Sequence, residues 1–335
     1  MNRRRFLQFA GGGLATGTLA ACLARRPDHA AAPVVSGELD ASSFHASRRY
    51  AKLRSGEIAY VERGSGPAAL FLHGFPLNSF QWRGALTRLS PYRRCIAADF
   101  MGMGYTRVAA NQDVGPKAQV AMLIELLDYL GVHDVDVVAN DSGCTVAQLL
   151  LVNHPQRVRT LLLTNGDTEH DSPPPALQPV IDLARQGRFV DEWLAPWWQD
   201  PQLARSAAGI GGMCFADPTQ PTDEAIDTYF GPLLSSAHRK AMAHAYAVGL
   251  EPNVLLGIEA ELKRSKTPTR IVWGMADTIF SKQSPDYWAG TFGGSRGVRK
   301  LESSKLFWPE ERPDVIAEEA RRLWNAWAAQ AADWR

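Results

Sequence analysis

The sequence predicts an α/β fold: a mostly parallel sheet with helices on both faces, interrupted by a helical insertion. Three observations carry this. Short apolar or β-branched runs alternate with stretches of helical spacing from about residue 68 to 165. One run, residues 135–139, passes through Asn140-Asp141-Ser142-Gly143 into a helical pattern set by Gly143, Val146, Ala147 and Leu150. The alternation stops between residues 166 and 267 and resumes at Thr269.

Composition sets the bounds. Of the 335 residues, 45% are hydrophobic and 21% charged, enough for a packed core. The formal net charge is +1, and nothing in it suggests a nucleic-acid partner. Cys22, Cys95, Cys144 and Cys214 lack any paired metal-ligand spacing, so no metal or other cofactor is implied. Cys95 and Cys144 fall in core-like segments, where free cysteine acts as a small hydrophobe.

The chain opens on Arg3-Arg4-Arg5-Phe6-Leu7-Gln8, which resembles a twin-arginine export signal. A Gly/Ala-rich run over residues 9–21 follows, too short to span a membrane comfortably. It ends in Leu19-Ala20-Ala21-Cys22, which is similar to a bacterial lipobox. That resemblance implies export by the twin-arginine route, a periplasmic or extracytoplasmic location, and a lipid on Cys22 that anchors the protein to a membrane. The alternative is cleavage near the Ala pair and a soluble product. Residues 1–22 are read as signal and 23–47, rich in Ala, Pro and Ser, as a tether.

The first half of the core spans residues 48–165. Residues 57–62 alternate, Gly64-Ser65-Gly66-Pro67 turns the chain, and 68–73 reads as a buried strand. It runs into His73-Gly74-Phe75-Pro76. Trp82, Leu86 and Leu89 mark a helix; 94–98 is another strand, followed by Asp99 and the turn Gly102-Met103-Gly104-Tyr105-Thr106. Val120, Leu123, Ile124, Leu127 and Leu130 keep helical spacing, with Gly131 as a stop. The strand-turn-helix step at 135–144 then exposes one side chain at the carboxyl edge of the sheet, and crowding there demands small residues two places to either side. Asp141 has Ala139 and Gly143; Ser142 has Asn140 and Cys144, so the spacing favours Asp141. The bland reading makes Asp141 a helix N-cap. Residues 158–163 form the next strand.

Residues 166–267 make up the insertion, with Pro173-Pro174-Pro175 at its start and Trp193, Trp197, Trp198, Tyr229, Phe230, Tyr246 and Leu250 in helical patches. Residues 268–335 return to the core: a strand at 269–273, then Gly274-Met275-Ala276-Asp277, and a last strand at 298–301.

These motifs together resemble the α/β-hydrolase superfamily in its aspartate-nucleophile branch, the haloalkane dehalogenases and epoxide hydrolases. The elbow at Asp141, His73-Gly74-Phe75-Pro76, His154-Pro155 and Trp273-Gly274-Met275-Ala276-Asp277 carry the likeness. It implies that Asp141 attacks carbon, that the backbone amides of Phe75 and Ser142 form an oxyanion hole, and that Asp277 orients a histidine base. His73 would hold its loop, and the insertion would cap a dry pocket for a small apolar substrate. Tyr229 and Tyr246 would either donate to a substrate oxygen, as cap tyrosines do in epoxide hydrolases, or simply pack.

Two positions depart from the pattern. Leu306 stands where the histidine belongs, and Ser142 stands where dehalogenases place a halide-binding tryptophan. An alkyl ester on Asp141 would then form but lack its usual water-activating base. By position His170 is the best substitute base; the alternative is a solvated loop histidine. The expected activity is hydrolysis of a haloalkane- or epoxide-like substrate through Asp141. The alternatives are a binding protein that has lost catalysis, and a serine esterase using Ser142.

Overall fold

A computed structural model describes residues 39–332. The twin-arginine stretch, Cys22 and most of the tether lie outside the described residues. Among those described, no helix is long and apolar enough to cross a membrane.

One eight-stranded sheet organises the molecule, in the order β1-β2-β4-β3-β5-β6-β7-β8. The strands are β1 (Arg48–Leu53), β2 (Gly56–Arg63), β3 (Ala68–Leu72), β4 (Arg94–Ala98), β5 (Val135–Asp141), β6 (Val158–Gly166), β7 (Thr269–Gly274) and β8 (Ser295–Leu301). β1, β2 and β4 pair antiparallel; every pair from β4 through β3 to β8 is parallel. β3 and β5 are buried along their whole length, which is why they read as continuous apolar runs rather than alternating ones.

The sequence reading is corrected at the amino end. Residues 41–47 are not tether: they form a helix, Ala41–Ser47, whose first turn is capped by Asp40 accepting from the Ser43 amide at 2.7 Å. Phe44 on that helix is fully buried, edge-on to Phe80 at 5.2 Å between ring centres. One aromatic in a polar stretch gave no periodicity to read. β1, with Arg48, Arg49 and Lys52 among its six residues, likewise carries no apolar run that reads as a strand.

Between β6 and β7 the chain is helical, including Gln178–Arg185, Asp223–Leu234 and Ala237–Gly249. Thr222 and Ser236 cap the last two, accepting from the amides of Ala225 and Arg239 at 3.2 Å each. The insertion is tied to the core by polar contacts as well as apolar ones. The Asn78 side chain donates to the Thr228 carbonyl at 2.8 Å, and Arg239 donates to the carbonyls of Gly104 and Thr106. Tyr229 donates to Glu310 at 2.8 Å, and Glu310 also holds Arg83 at 2.7 Å. Glu310 is almost fully buried, so a charge left there without Arg83 would be costly.

Candidate active site

The elbow is the junction of β5 with the helix Ser142–Asn153. Asp141 sits at its apex with φ 55° and ψ −132°, the one non-glycine among the described residues with positive φ. A non-glycine residue held in that region costs about 1–3 kcal/mol, and the surrounding packing must enforce it. Three glycines allow the close approach. A Cβ on Gly143 would lie 2.6 Å from the Leu72 carbonyl oxygen. One on Gly166 would meet Cys144 at 2.6 Å, and one on Gly74 would meet the Asp141 Cβ at 2.7 Å.

The turn aims the Asp141 carboxyl at two backbone donors. The Ser142 amide donates to Oδ1, and the Phe75 amide also donates to the carboxyl. The Ser142 hydroxyl points elsewhere, 3.1 Å from the Tyr246 hydroxyl. Burial, then the nearby Asp167 charge, pushes the Asp141 carboxyl well above the usual carboxylate range; the Ser142 and Phe75 amides pull against this.

The Phe75 loop is fixed from below. His73 donates from Nδ1 to the Gly74 carbonyl at 2.9 Å and accepts at Nε2 from the Phe100 amide at 3.0 Å. Both ring nitrogens are committed and burial lowers the ring's pKa, so it stays neutral and structural. A buried amide chain ties this loop to the elbow: the Gly74 amide donates to Gln81 at 3.0 Å, and Gln81 donates to Asn140 at 2.6 Å. Asn140 in turn donates to the Leu306 carbonyl at 3.0 Å. The loop that lacks the histidine is thus held beside the elbow by its backbone, with Leu306 itself buried.

Asp277 is buried at the end of β7, and burial pushes it to about 6. It accepts from Asn165 Nδ2 at 2.8 Å and from the Ile279 amide at 2.8 Å. Asn165 is itself fully used: Nδ2 also donates to the Gly274 carbonyl at 2.9 Å, and Oδ1 accepts from the Gly274 amide and Trp308 Nε1 at 2.7 and 3.1 Å. A side-chain amide holds the carboxylate that the resemblance assigned to a histidine.

Three of the described histidines, His170, His238 and His244, contact other groups. His170 is exposed, its ring 4.7 Å from that of Tyr287. That exposure is what the solvated-loop alternative describes. His238 is bound to the Val108 carbonyl at 2.9 Å, and His244 accepts from the Val190 amide at 3.1 Å. Tyr229, one of the two candidate cap tyrosines, is spent on Glu310; Tyr246 is the one above the elbow.

Sequence reasoning missed Asp167. It follows Gly166, the register partner of Asp141 across β5 and β6, and it is buried. Burial pushes its carboxyl up to about 7 against the hydroxyls of Thr145 and Ser172, which pull it down. The signal was available: an acid just past the carboxyl end of a strand neighbouring the elbow lies where α/β sheets place their sites. Among the described residues, no three His, Cys, Asp or Glu side chains are grouped to hold a metal ion.

The alpha/beta hydrolase fold family profile matches residues 67–304. The chain belongs to this family. Among its relatives is an epoxide hydrolase from Caballeronia sordidicola, 35% identical over 65% of this α/β hydrolase and 75% of the relative. Haloalkane dehalogenase 2 of Mycobacterium bovis is 24% identical over 78% of this chain and 89% of its own. A crystal structure of a haloalkane dehalogenase loop variant from Bradyrhizobium elkanii superposes with a TM-score of 0.69 at 22% identity, covering 85% of this chain and 99% of that one. The two sequence relatives put this α/β hydrolase with the dehalogenase-like and epoxide hydrolase-like members of the superfamily, and the crystal structure shows the shared fold.

Proposed function

We propose that this α/β hydrolase cleaves a small apolar substrate, haloalkane- or epoxide-like, through a covalent ester on Asp141. One observation carries the reading: the strained residue of the elbow is Asp141, and its carboxyl lies between the Phe75 and Ser142 amides. Those amides favour the ionised form that must attack carbon, and later hold the oxyanion of the tetrahedral intermediate.

Of the two substrate types, epoxides fit better. Position 142 carries no indole N–H for a leaving halide. The Tyr246 hydroxyl lies over the elbow, and burial keeps its phenol protonated. As Asp141 attacks an epoxide carbon and the ring C–O bond breaks, Tyr246 can give its proton to the released oxygen.

The serine esterase reading is weaker. The Ser142 hydroxyl partners a tyrosine rather than a base, and its amide is already turned to Asp141. The binding-protein reading rests on Leu306. The test is product release from styrene oxide and bromobutane by Asp141→Asn and Ser142→Ala. Loss in the first and retention in the second is expected; the reverse would make Ser142 the nucleophile. From the sequence alone, export by the twin-arginine route and lipidation at Cys22 complete the proposal. Unchanged membrane fractionation of Cys22→Ala would remove the anchor.

A further inference from the structure

The site as described has a nucleophile but no histidine to hydrolyse its ester. We propose that Asp167 is the base that activates water against the Asp141 ester, an inference that rests on the ester reading above. Four observations support it. First, strand register sets Asp167 directly after the residue paired with Asp141, so one acid ends β5 and the other lies just past the end of β6. Second, the position is held rigidly. The Asp167 carbonyl accepts from Gln148 Nε2 at 2.8 Å, while Thr145, one turn along the elbow helix, and Ser172 supply hydroxyls to the carboxyl.

Third, its charge reaches the surroundings of the elbow on both sides. It is the largest charge acting on Asp141, and it acts also on Cys144 in the core and on Tyr246 in the insertion. Fourth, the other acid is engaged differently. Asp277 is locked onto Asn165 and the amide of its own loop, and its effect on Asp141 is smaller than that of Asp167.

The chemistry balances without another reagent. In the free enzyme the two buried acids repel, and a proton is retained between them toward neutral pH. Alkylation converts Asp141 to a neutral ester and removes that repulsion, so Asp167 ionises, its proton passing to the Tyr246 phenolate when an epoxide has opened or to solvent when a halide has left. Asp167 takes a proton from water, and the water oxygen bonds to Asp141 Cγ. The oxyanion rests on the Phe75 and Ser142 amides. Collapse breaks the bond between Cγ and the alkyl oxygen, and the departing alcohol takes the proton back from Asp167. Asp141 is regenerated as a carboxylic acid carrying one water oxygen, and the second water proton on it is the one that the Asp141–Asp167 pair retains.

The experiment is intact-mass and peptide mass spectrometry of the full chain with bromobutane and styrene oxide. Wild type, Asp167→Asn, Asp277→Asn and Asp141→Asn are run together. In Asp167→Asn, whose amide still faces Thr145 and Ser172, the expected result is a stable alkyl adduct on the Asp141 peptide. Turnover there should fall roughly a hundredfold or more. Asp167→Ala is the second variant, and added formate should clear its adduct, which a structural role for Asp167 would not allow. Wild-type turnover in Asp167→Asn, or an adduct in Asp277→Asn with none in Asp167→Asn, would overturn the assignment and leave the ester intact. If Asp141→Asn forms product as wild type does, or no protein gives adduct or product, the ester reading fails and the base falls with it.

Discussion

Asn165 donates to the Asp277 carboxylate at 2.8 Å, filling the contact that an imidazole would otherwise make. The same asparagine accepts from Trp308 Nε1 at 3.1 Å, two residues past Leu306. The loss of the histidine is therefore not a hole. The acid, the strand end and the loop after β8 are joined by a satisfied buried amide, which makes the arrangement stable in its own right.

The carboxylates at this sheet edge set a pH dependence of stability. Asp277 rises from 3.8 to about 6 on folding and Asp167 from 3.8 to about 7, both chiefly through burial. The folded state then binds more protons than the unfolded state between those values, so stability falls as pH rises. For Asp277 the contribution is fully present below 3.8 and gone above about 6, roughly 3 kcal/mol in all. Asp141 shares the effect, the Asp171 charge adds to the rise at Asp167, and Tyr246 and Cys144 stay neutral nearby. Calorimetry from about pH 5 to about pH 8 should show Tm falling, with a shallower slope in Asp167→Asn.

Tyr246→Phe separates the two substrate types. It removes the phenol proton but keeps the ring, which stacks on Phe75 at 5.6 Å. Styrene oxide turnover should drop roughly a hundredfold, while bromobutane, which releases halide and needs no proton, should change little. Equal losses on both would make Tyr246 a packing residue.

Gly74→Ala tests the crowding beneath Asp141. The new methyl would lie 2.7 Å from the Asp141 Cβ and 3.0 Å from Phe307 Cε1. Overpacking of this kind costs about 1–3 kcal/mol. A displaced carboxyl should lower kcat on the order of a hundredfold, since ångström-scale misplacement has that effect. Steady-state kinetics beside a denaturation curve separates the two losses.

Tyr229→Phe tests the tie between insertion and core. The phenol donates to the buried Glu310 carboxylate, and its loss should cost about 1.5–3 kcal/mol in chemical denaturation. Glu310 keeps Arg83, so the variant should still fold. A cost near zero would show that apolar packing alone seats the insertion.

The elbow, Asp277 and the gap at Leu306 were legible in the sequence because each is set by neighbours within a few residues. Small residues flank Asp141, and Trp273-Gly274 precedes Asp277. What stayed hidden depends on distant strands meeting. Asp167 acquires meaning only because β6 lies against β5. Gln81 and Asn140 join only once the Phe75 loop reaches the elbow. Phe44 reads as part of a polar tether until its helix docks beside Phe80. Flanking small residues and the distance to His154-Pro155 both favour Asp141 over Ser142 as the apex, and the positive φ at Asp141 adds a backbone reason.

An ester on Asp141 would leave its mark in a single turnover run in heavy-oxygen water. Protein in excess over styrene oxide is allowed to react once, digested, and the Asp141 peptide weighed. The expected result is heavy oxygen incorporated into the Asp141 carboxyl, because water attacks Cγ and leaves its oxygen there. Heavy oxygen found only in the diol, with the Asp141 peptide unlabelled, would mean that water attacks the substrate itself and would contradict the claim.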